Sequence, residues 1–192
     1  MSSKNDFMEE ATKISRTGVS DLLSYIEDKT DFFKAPASTK FHSCFEGGLV
    51  LHSLAVYDMM KEIDEMLDLK LDRESIAICG LFHDICKTNF YVKEIRNRKI
   101  NGTWHEVEEW GVKDQLPMGH GEKSVYILNK YIKLSDPEAL AIRWHLAGFE
   151  PAVHFSYPSG TPQKQAFKEN PLVALLATAD MAASYLLDRW ED

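Results

Sequence analysis

Apolar residues recur at helical spacing in several separate stretches of the chain. Val19, Leu22, Leu23 and Ile26 form one stripe, after a short N-terminal helical segment. From Gly47 a second stripe runs Leu49, His52, Val56, Met59 and Ile63, so a histidine stands on an otherwise apolar face. Between the two, Thr30 to Phe45, punctuated by Pro36, reads as a structured loop. Asp72 reads as the N-cap of a third helix that runs to about Lys87, with Ile76, Gly80 and His83 along one side.

The period changes at Phe90. Tyr91 to Arg96 alternates, Asn101-Gly102 is a hairpin-type turn and Thr103 to Val107 is β-rich, which predicts a β-hairpin inserted around residues 90–112. Helical signals return after Gly119, at Ser135, where Ser135, Pro137 and Glu138 look like a capping box, and at Asn170-Pro171. The stretch Gly148 to Glu169 reads as a long loop, a length more typical of functional segments than of connectors. The last helix aligns Val173, Leu176, Ala177, Asp180 and Leu187, which puts a carboxylate on an apolar stripe. The expected fold is mainly α, a single domain over residues 1–192.

Length and charge narrow the function classes. The 192 residues can bury a sizeable core, and 22 basic against 30 acidic side chains leave a net charge of −8. Long-range attraction to nucleic acid or to an anionic membrane is therefore disfavoured. The segment from Met1 to Asp6 lacks a basic-then-apolar signal pattern, and no run of about 18 uncharged apolar residues occurs. A cytoplasmic protein is expected. Cys79 and Cys86 would lie roughly 10 Å apart along one helix, beyond disulfide reach, which suits a reducing compartment.

The informative residues are polar ones on helical apolar faces: His52, His83 with Asp84, His145 and Asp180. A single histidine in such a place is ordinary, because imidazole is intermediate in burial preference. Asp180 is not ordinary: a buried carboxylate needs a cation, and its helix offers none before Arg189. A metal held by several histidines satisfies it. Mixed imidazole and carboxylate donors suit divalent Mn, Fe, Ni, Co or Zn rather than magnesium, and the absence of Cys-x-x-Cys spacing argues against a structural zinc site. Lys87 follows Asp84 by three and His83 by four, so its ammonium faces the same surface. A cation beside a dication calls for an anion between them, and a substrate phosphate is the economical choice.

His52, then His83-Asp84, then Asp180, in that order on separate helices, resembles the HD-domain metal-dependent phosphohydrolases. Gly47-Gly48-Leu49-Val50-Leu51-His52-Ser53 looks like the family's first-ligand helix. His83-Asp84-Ile85-Cys86-Lys87 looks like its His-Asp-x-x-Lys segment, with Cys86 where many members carry glycine. Gly119-His120-Gly121-Glu122 and Arg143-Trp144-His145 extend the resemblance to the binuclear branch. The match covers roughly residues 40–188.

The resemblance implies an HD-like helical bundle carrying the hairpin, in which His52, His83, Asp84 and Asp180 bind one metal. Asp84 would bridge to a second metal held by His120 and His145. The implied chemistry is a metal-activated water attacking phosphorus, with Lys87 binding the phosphoryl group. Glu122 would orient a ligand histidine or sit as a solvated helix-start acid, and His42 would reach substrate or pack. His105 and His154 read as structural. Phe32, Phe33, Trp104, Trp110, Trp144 and Tyr157 could stack on a base or simply pack.

The expected substrate is a small phosphorylated molecule, a nucleotide or related phosphoester. The alternatives within the superfamily are a 3′-to-5′ exonuclease and a cyclic-nucleotide phosphodiesterase. Exonuclease members typically carry an oligonucleotide-binding barrel before the HD domain, and the roughly 40 residues preceding the match are short and helical for one. A non-catalytic nucleotide-sensing HD module is the reading from another class, and all six ligand positions being filled speaks against it.

Overall fold

Amphipathic stripes become buried faces in the order the sequence sets them. The computed structural model describes residues 2–149 and 162–188. Helix α1 (Ser3–Ala11) buries Phe7 and Ala11, and α2 (Val19–Lys29) buries Val19, Leu22, Leu23 and Ile26. Helix α3 (Gly48–Leu67) buries Leu49, His52 and Val56 as expected. Further along, Met60 and Asp64 take the buried places while Met59 and Ile63 are half-buried, because the stripe continues in steps of four.

Helix α4 (Arg73–Phe82) starts where Asp72 accepts a 2.8 Å hydrogen bond from the Ser75 N–H. Every residue from Ile76 to Phe82 is buried, so this helix is surrounded on all sides. Gly80 permits the close approach of α3: a Cβ there would lie 2.7 Å from Tyr57 Cα. The helix does not continue to Lys87. His83 is its C-cap, Asp84 turns out of the helix at φ −101° and ψ 17°, and Ile85–Lys87 forms a 3₁₀ turn. Cys79 and Cys86 therefore do not share one helix. Cys44, Cys79 and Cys86 form no disulfide.

Strands β1 (Tyr91–Ile100) and β2 (Thr103–Val112) form the expected antiparallel hairpin. Ile100 pairs with Thr103 across Asn101-Gly102, both at positive φ, as a two-residue hairpin turn requires. Helix α5 (His120–Leu128) and α6 (Asp136–Trp144) pack closely because Gly121 lies against the Arg143 carbonyl. The capping box is formed: Ser135 Oγ accepts from the Glu138 N–H and Glu138 Oε2 accepts from the Ser135 N–H. Arg16 clamps the buried Glu138 with two hydrogen bonds of 3.0 Å, tying the N-terminal region to α6.

Part of the stretch expected as a loop is helical. Helix α7 (Pro162–Glu169) starts on a proline and buries Gln163 and Ala166, an apolar anchor too sparse for periodicity to reveal. The remainder, residues 150–161, including His154 and Tyr157, lies outside the described residues. Helix α8 (Pro171–Ala182), capped by Asn170, buries Val173, Leu176 and Ala177. It then widens into a π turn, Ala183–Leu187, which leaves Leu187 exposed and off the predicted stripe. Among the described residues no single helix is long and apolar enough to cross a membrane.

The close approach at Gly80 makes a test of what holds α3 against α4. Gly80→Ala puts a methyl group into the Tyr57 backbone, and overpacking of this kind costs about 1–3 kcal/mol. Urea unfolding should show a lower midpoint at unchanged slope.

Candidate metal centre

Six residues from five segments meet around the Asp84 carboxylate. His52 comes from the second turn of α3, His83 from the end of α4 with Asp84 in the turn that follows it directly, His120 from the first turn of α5, His145 from the end of α6 and Asp180 from α8. The fold brings together all six residues that the sequence singled out as ligands. Asp84 divides them: Oδ2 lies 3.7 Å from His52 Nε2 and 3.6 Å from His83 Nε2, while Oδ1 lies 2.8 Å from His120 Nε2 and 3.6 Å from His145 Nε2. The two Nε2 atoms of His120 and His145 are 3.1 Å apart. Asp180 Oδ1 lies 3.1 Å from His52 Nε2.

The far side of each ring sets its direction. His83 Nδ1 donates to the Gly80 carbonyl at 3.0 Å and His145 Nδ1 to the Ile142 carbonyl at 2.7 Å. Both acceptors are carbonyls near a helix C-terminus, where the intrahelical partners run out. His52 Nδ1 donates to Asp188 Oδ2 at 2.8 Å. Cys86 Sγ lies 3.3 Å from His120 Nδ1. With these bonds made, the Nε2 atoms are left facing the carboxylates, which is how imidazoles are oriented for metal binding. The buried His83 Nε2 has no hydrogen-bond partner, an orphaned donor atom that suits a divalent ion. Nitrogen and carboxylate oxygen donors in this set fit a first-row transition metal.

Charge balance in the protein alone is carried by protons and Lys87. Burial pulls the Asp84 carboxyl upward, but Lys87 and the neighbouring histidines outweigh it and hold it well below the usual carboxylate range. Asp180 is likewise depressed, its burial outweighed by His52. Burial opposes charge on His52, yet the Asp180 and Asp188 carboxylates push it up to about 9. His120, also opposed by burial, is pushed up to about 10 by Cys86 and Asp84. His83, without such a partner, is driven by burial down to about 3. In the protein alone the positive neighbour of Asp180 comes from another helix, His52 of α3, whose Nε2 lies 3.1 Å from Asp180 Oδ1.

Lys87 does not simply project toward solvent. Its Nζ lies 2.7 Å from Asp84 Oδ2, and it lines a cavity of about 400 Å³ with Asp84, His145, Asp180 and His42. The rest of its lining is largely apolar, including Phe41, Leu146, Phe149, Met181 and Tyr185. His42 stacks beside His52 with ring centroids 4.9 Å apart, and burial lowers it to about 4. Glu122 forms an ion pair with Arg143, which ties α5 to α6 instead of orienting a histidine. His105 is exposed on the hairpin. Phe32 is fully buried, Phe33 packs against the core and Trp144 is buried, whereas Trp104 is exposed.

Asp188 and the sulfur of Cys86 are the neighbours that pattern reading missed. Asp188 follows a helix whose periodicity is lost in the π turn, so no stripe could have indicated it.

Residues 49–182 match the family described as HD domain. A dihydroneopterin 2′,3′-cyclic phosphate phosphodiesterase from Methanocaldococcus jannaschii is 28% identical over 114 residues, which are 57% of this chain and 41% of that protein. The chain thus spans about two-fifths of the length of that curated relative. No solved structure matches the chain.

Opposed histidine shifts give the metal-free protein a stability optimum. His83 binds protons more readily unfolded than folded, so stability falls as pH drops from 6.5 toward about 3. His52 and His120 bind them more readily folded, so their contribution is full below 6.5 and is lost as pH rises through about 9 and 10. Urea midpoints of chelator-treated protein should peak near pH 6.5. A curve rising steadily through pH 9 would contradict these charge states.

Proposed function

The chain belongs to the HD-domain family of hydrolases, and on that premise we propose that it is a metal-dependent phosphohydrolase acting on a nucleotide or related small phosphoester. The observation that carries this reading is the split of the Asp84 carboxylate, one oxygen facing His52 and His83 and the other facing His120 and His145. In this reading His52, His83, Asp84 and Asp180 hold one metal, and Asp84, His120 and His145 hold a second. Metals bound there would acidify a water molecule and neutralise charge on phosphoryl oxygens.

The remaining steps belong to the chain's own side chains. Lys87, which lines the cavity, binds the phosphoryl group and balances its charge. His42, kept neutral by burial, faces the same cavity and contacts substrate without adding charge. The apolar wall receives the part of the substrate that carries no phosphate and excludes bulk water from the charged end. A cavity of about 400 Å³ accommodates one compact molecule and favours it over a polynucleotide track. The relative named as a cyclic phosphate phosphodiesterase supports a second reading, cleavage of a small cyclic phosphodiester at the same centre. A 3′-to-5′ exonuclease is the less favoured alternative.

A panel of nucleoside mono- and triphosphates, 2′,3′-cyclic nucleotides and a single-stranded oligonucleotide, each with Mn²⁺, Co²⁺, Ni²⁺ or Zn²⁺, tests the proposal. Small phosphoesters should be cleaved faster than the oligonucleotide is shortened. Asp84→Ala should lose metal and hydrolysis with helix content retained, while His120→Ala and His145→Ala should each lower occupancy toward one metal per chain. Full metal occupancy in Asp84→Ala would sink the assignment.

Lys87→Ala separates phosphate binding from metal binding. It should keep its metal and lose catalytic efficiency on the order of 10²-fold, about 2.7 kcal/mol of transition-state stabilisation. Metal analysis and steady-state kinetics on the same preparation check both halves.

A further inference from the structure

Past Ala182 the chain does something physically costly. Tyr185, Leu186 and Leu187 are 57%, 78% and 56% exposed, whereas the Asp188 carboxylate, next in sequence, is only 5% exposed. Burial is inverted here: Leu186 and Leu187 face outward, Tyr185 is open while it lines the cavity, and a charge faces inward. The device that achieves it is the π turn Ala183–Leu187, closed by the Asp188 N–H donating to the Ala183 carbonyl at 2.8 Å. An uninterrupted α-helix would carry position 188 roughly 12 Å beyond Asp180 along the axis, at about 1.5 Å per residue. The wider turn instead returns the carboxylate to α3, where Oδ2 accepts the hydrogen bond from His52 Nδ1. Single π turns inside helices recur at functional sites.

We propose that Asp188 is a positioning residue for the metal centre, its carboxylate holding the His52 ring so that Nε2 faces Asp84 and Asp180. This rests on the metal-binding reading above and adds to it a residue outside the 49–182 family match. Because a carboxylate can only accept, it fixes the proton on Nδ1 and leaves Nε2 as the donor atom for a metal. It also makes that nitrogen a stronger donor, since a hydrogen bond to a charged group pulls the Nδ1 proton away from the ring. His83 and His145 obtain the same orientation from backbone carbonyls of their own helices. His52 lies in the second turn of α3, where the backbone carbonyls are engaged within the helix, so its partner comes from elsewhere in the fold.

Zn²⁺ titration of the metal-free 192-residue protein, in competition with a chromophoric chelator, tests this. Asp188→Ala should weaken one bound Zn²⁺ about 10- to 100-fold, Asp188→Asn less, and Asp188→Glu should recover part of the loss. In ¹⁵N spectra of the Zn²⁺-loaded wild type, His52 should show a protonated Nδ1. Wild-type affinity in both Asp188→Ala and Asp188→Asn, or a loss of thermal stability without a loss of Zn²⁺ affinity, overturns the role of Asp188 and leaves the metal centre standing. A wild-type protein that takes up no Zn²⁺ overturns both.

Discussion

A carboxylate with only 3% of its side chain exposed cannot stay ionised without positive or hydrogen-donating partners, and Asp84 is surrounded by them. Lys87 and His120 lie within hydrogen-bonding distance, and three more imidazoles approach within 4 Å. His83 and Lys87 flank Asp84 on its own stretch of chain, but His52, His120 and His145 arrive on three other helices, so the packing of α3, α5 and α6 against the end of α4 is a condition for Asp84 to be fully partnered. Gly80 and Gly121 matter for that reason: they let the helices approach closely enough for the rings to meet. The core and the site are one construction.

In the protein alone, the work a dication would do is divided among a lysine and protonated imidazoles. His52 and His120 are held protonated by the carboxylates and sulfur around them, while at His83 burial outweighs the pull of Asp84 and the ring stays neutral. Metal binding at such a centre displaces protons, because each imidazole nitrogen must be free to coordinate. The protons that balance the buried carboxylates in the protein alone thus sit on the same imidazoles that the proposed metals would use.

Much of this was legible in the sequence, and the gaps have physical causes. His52 and Asp180 betrayed themselves by standing on apolar stripes, and the hairpin and the capping box at Ser135 carry local chemistry that determines local shape. The end of α4 at Phe82 was not legible: residues 76–82 are all buried, so no periodicity marks where the helix stops. Helix α7 was hidden because only Gln163 and Ala166 are buried in it. Asp188 was hidden because a π turn breaks the 3.6-residue rhythm on which any helical reading depends. The pairing of Glu122 with Arg143, one residue from α5 and one from α6, depends on tertiary approach and leaves no mark in either segment alone.

The main-chain carbonyls of Gly80 and Ile142 aim two of the four central imidazoles. A carbonyl is present whatever side chain stands at its position, so substitution there does not remove the acceptor as long as the helix still ends where it does. Half of the histidine set is thus insulated from sequence drift, and its geometry can be inherited through extensive divergence. The other half, aimed by the side chains of Asp188 and Cys86, can be retuned by one codon change each. The aim of the four rings therefore divides between backbone acceptors that substitution leaves in place and two side-chain neighbours that a single substitution removes.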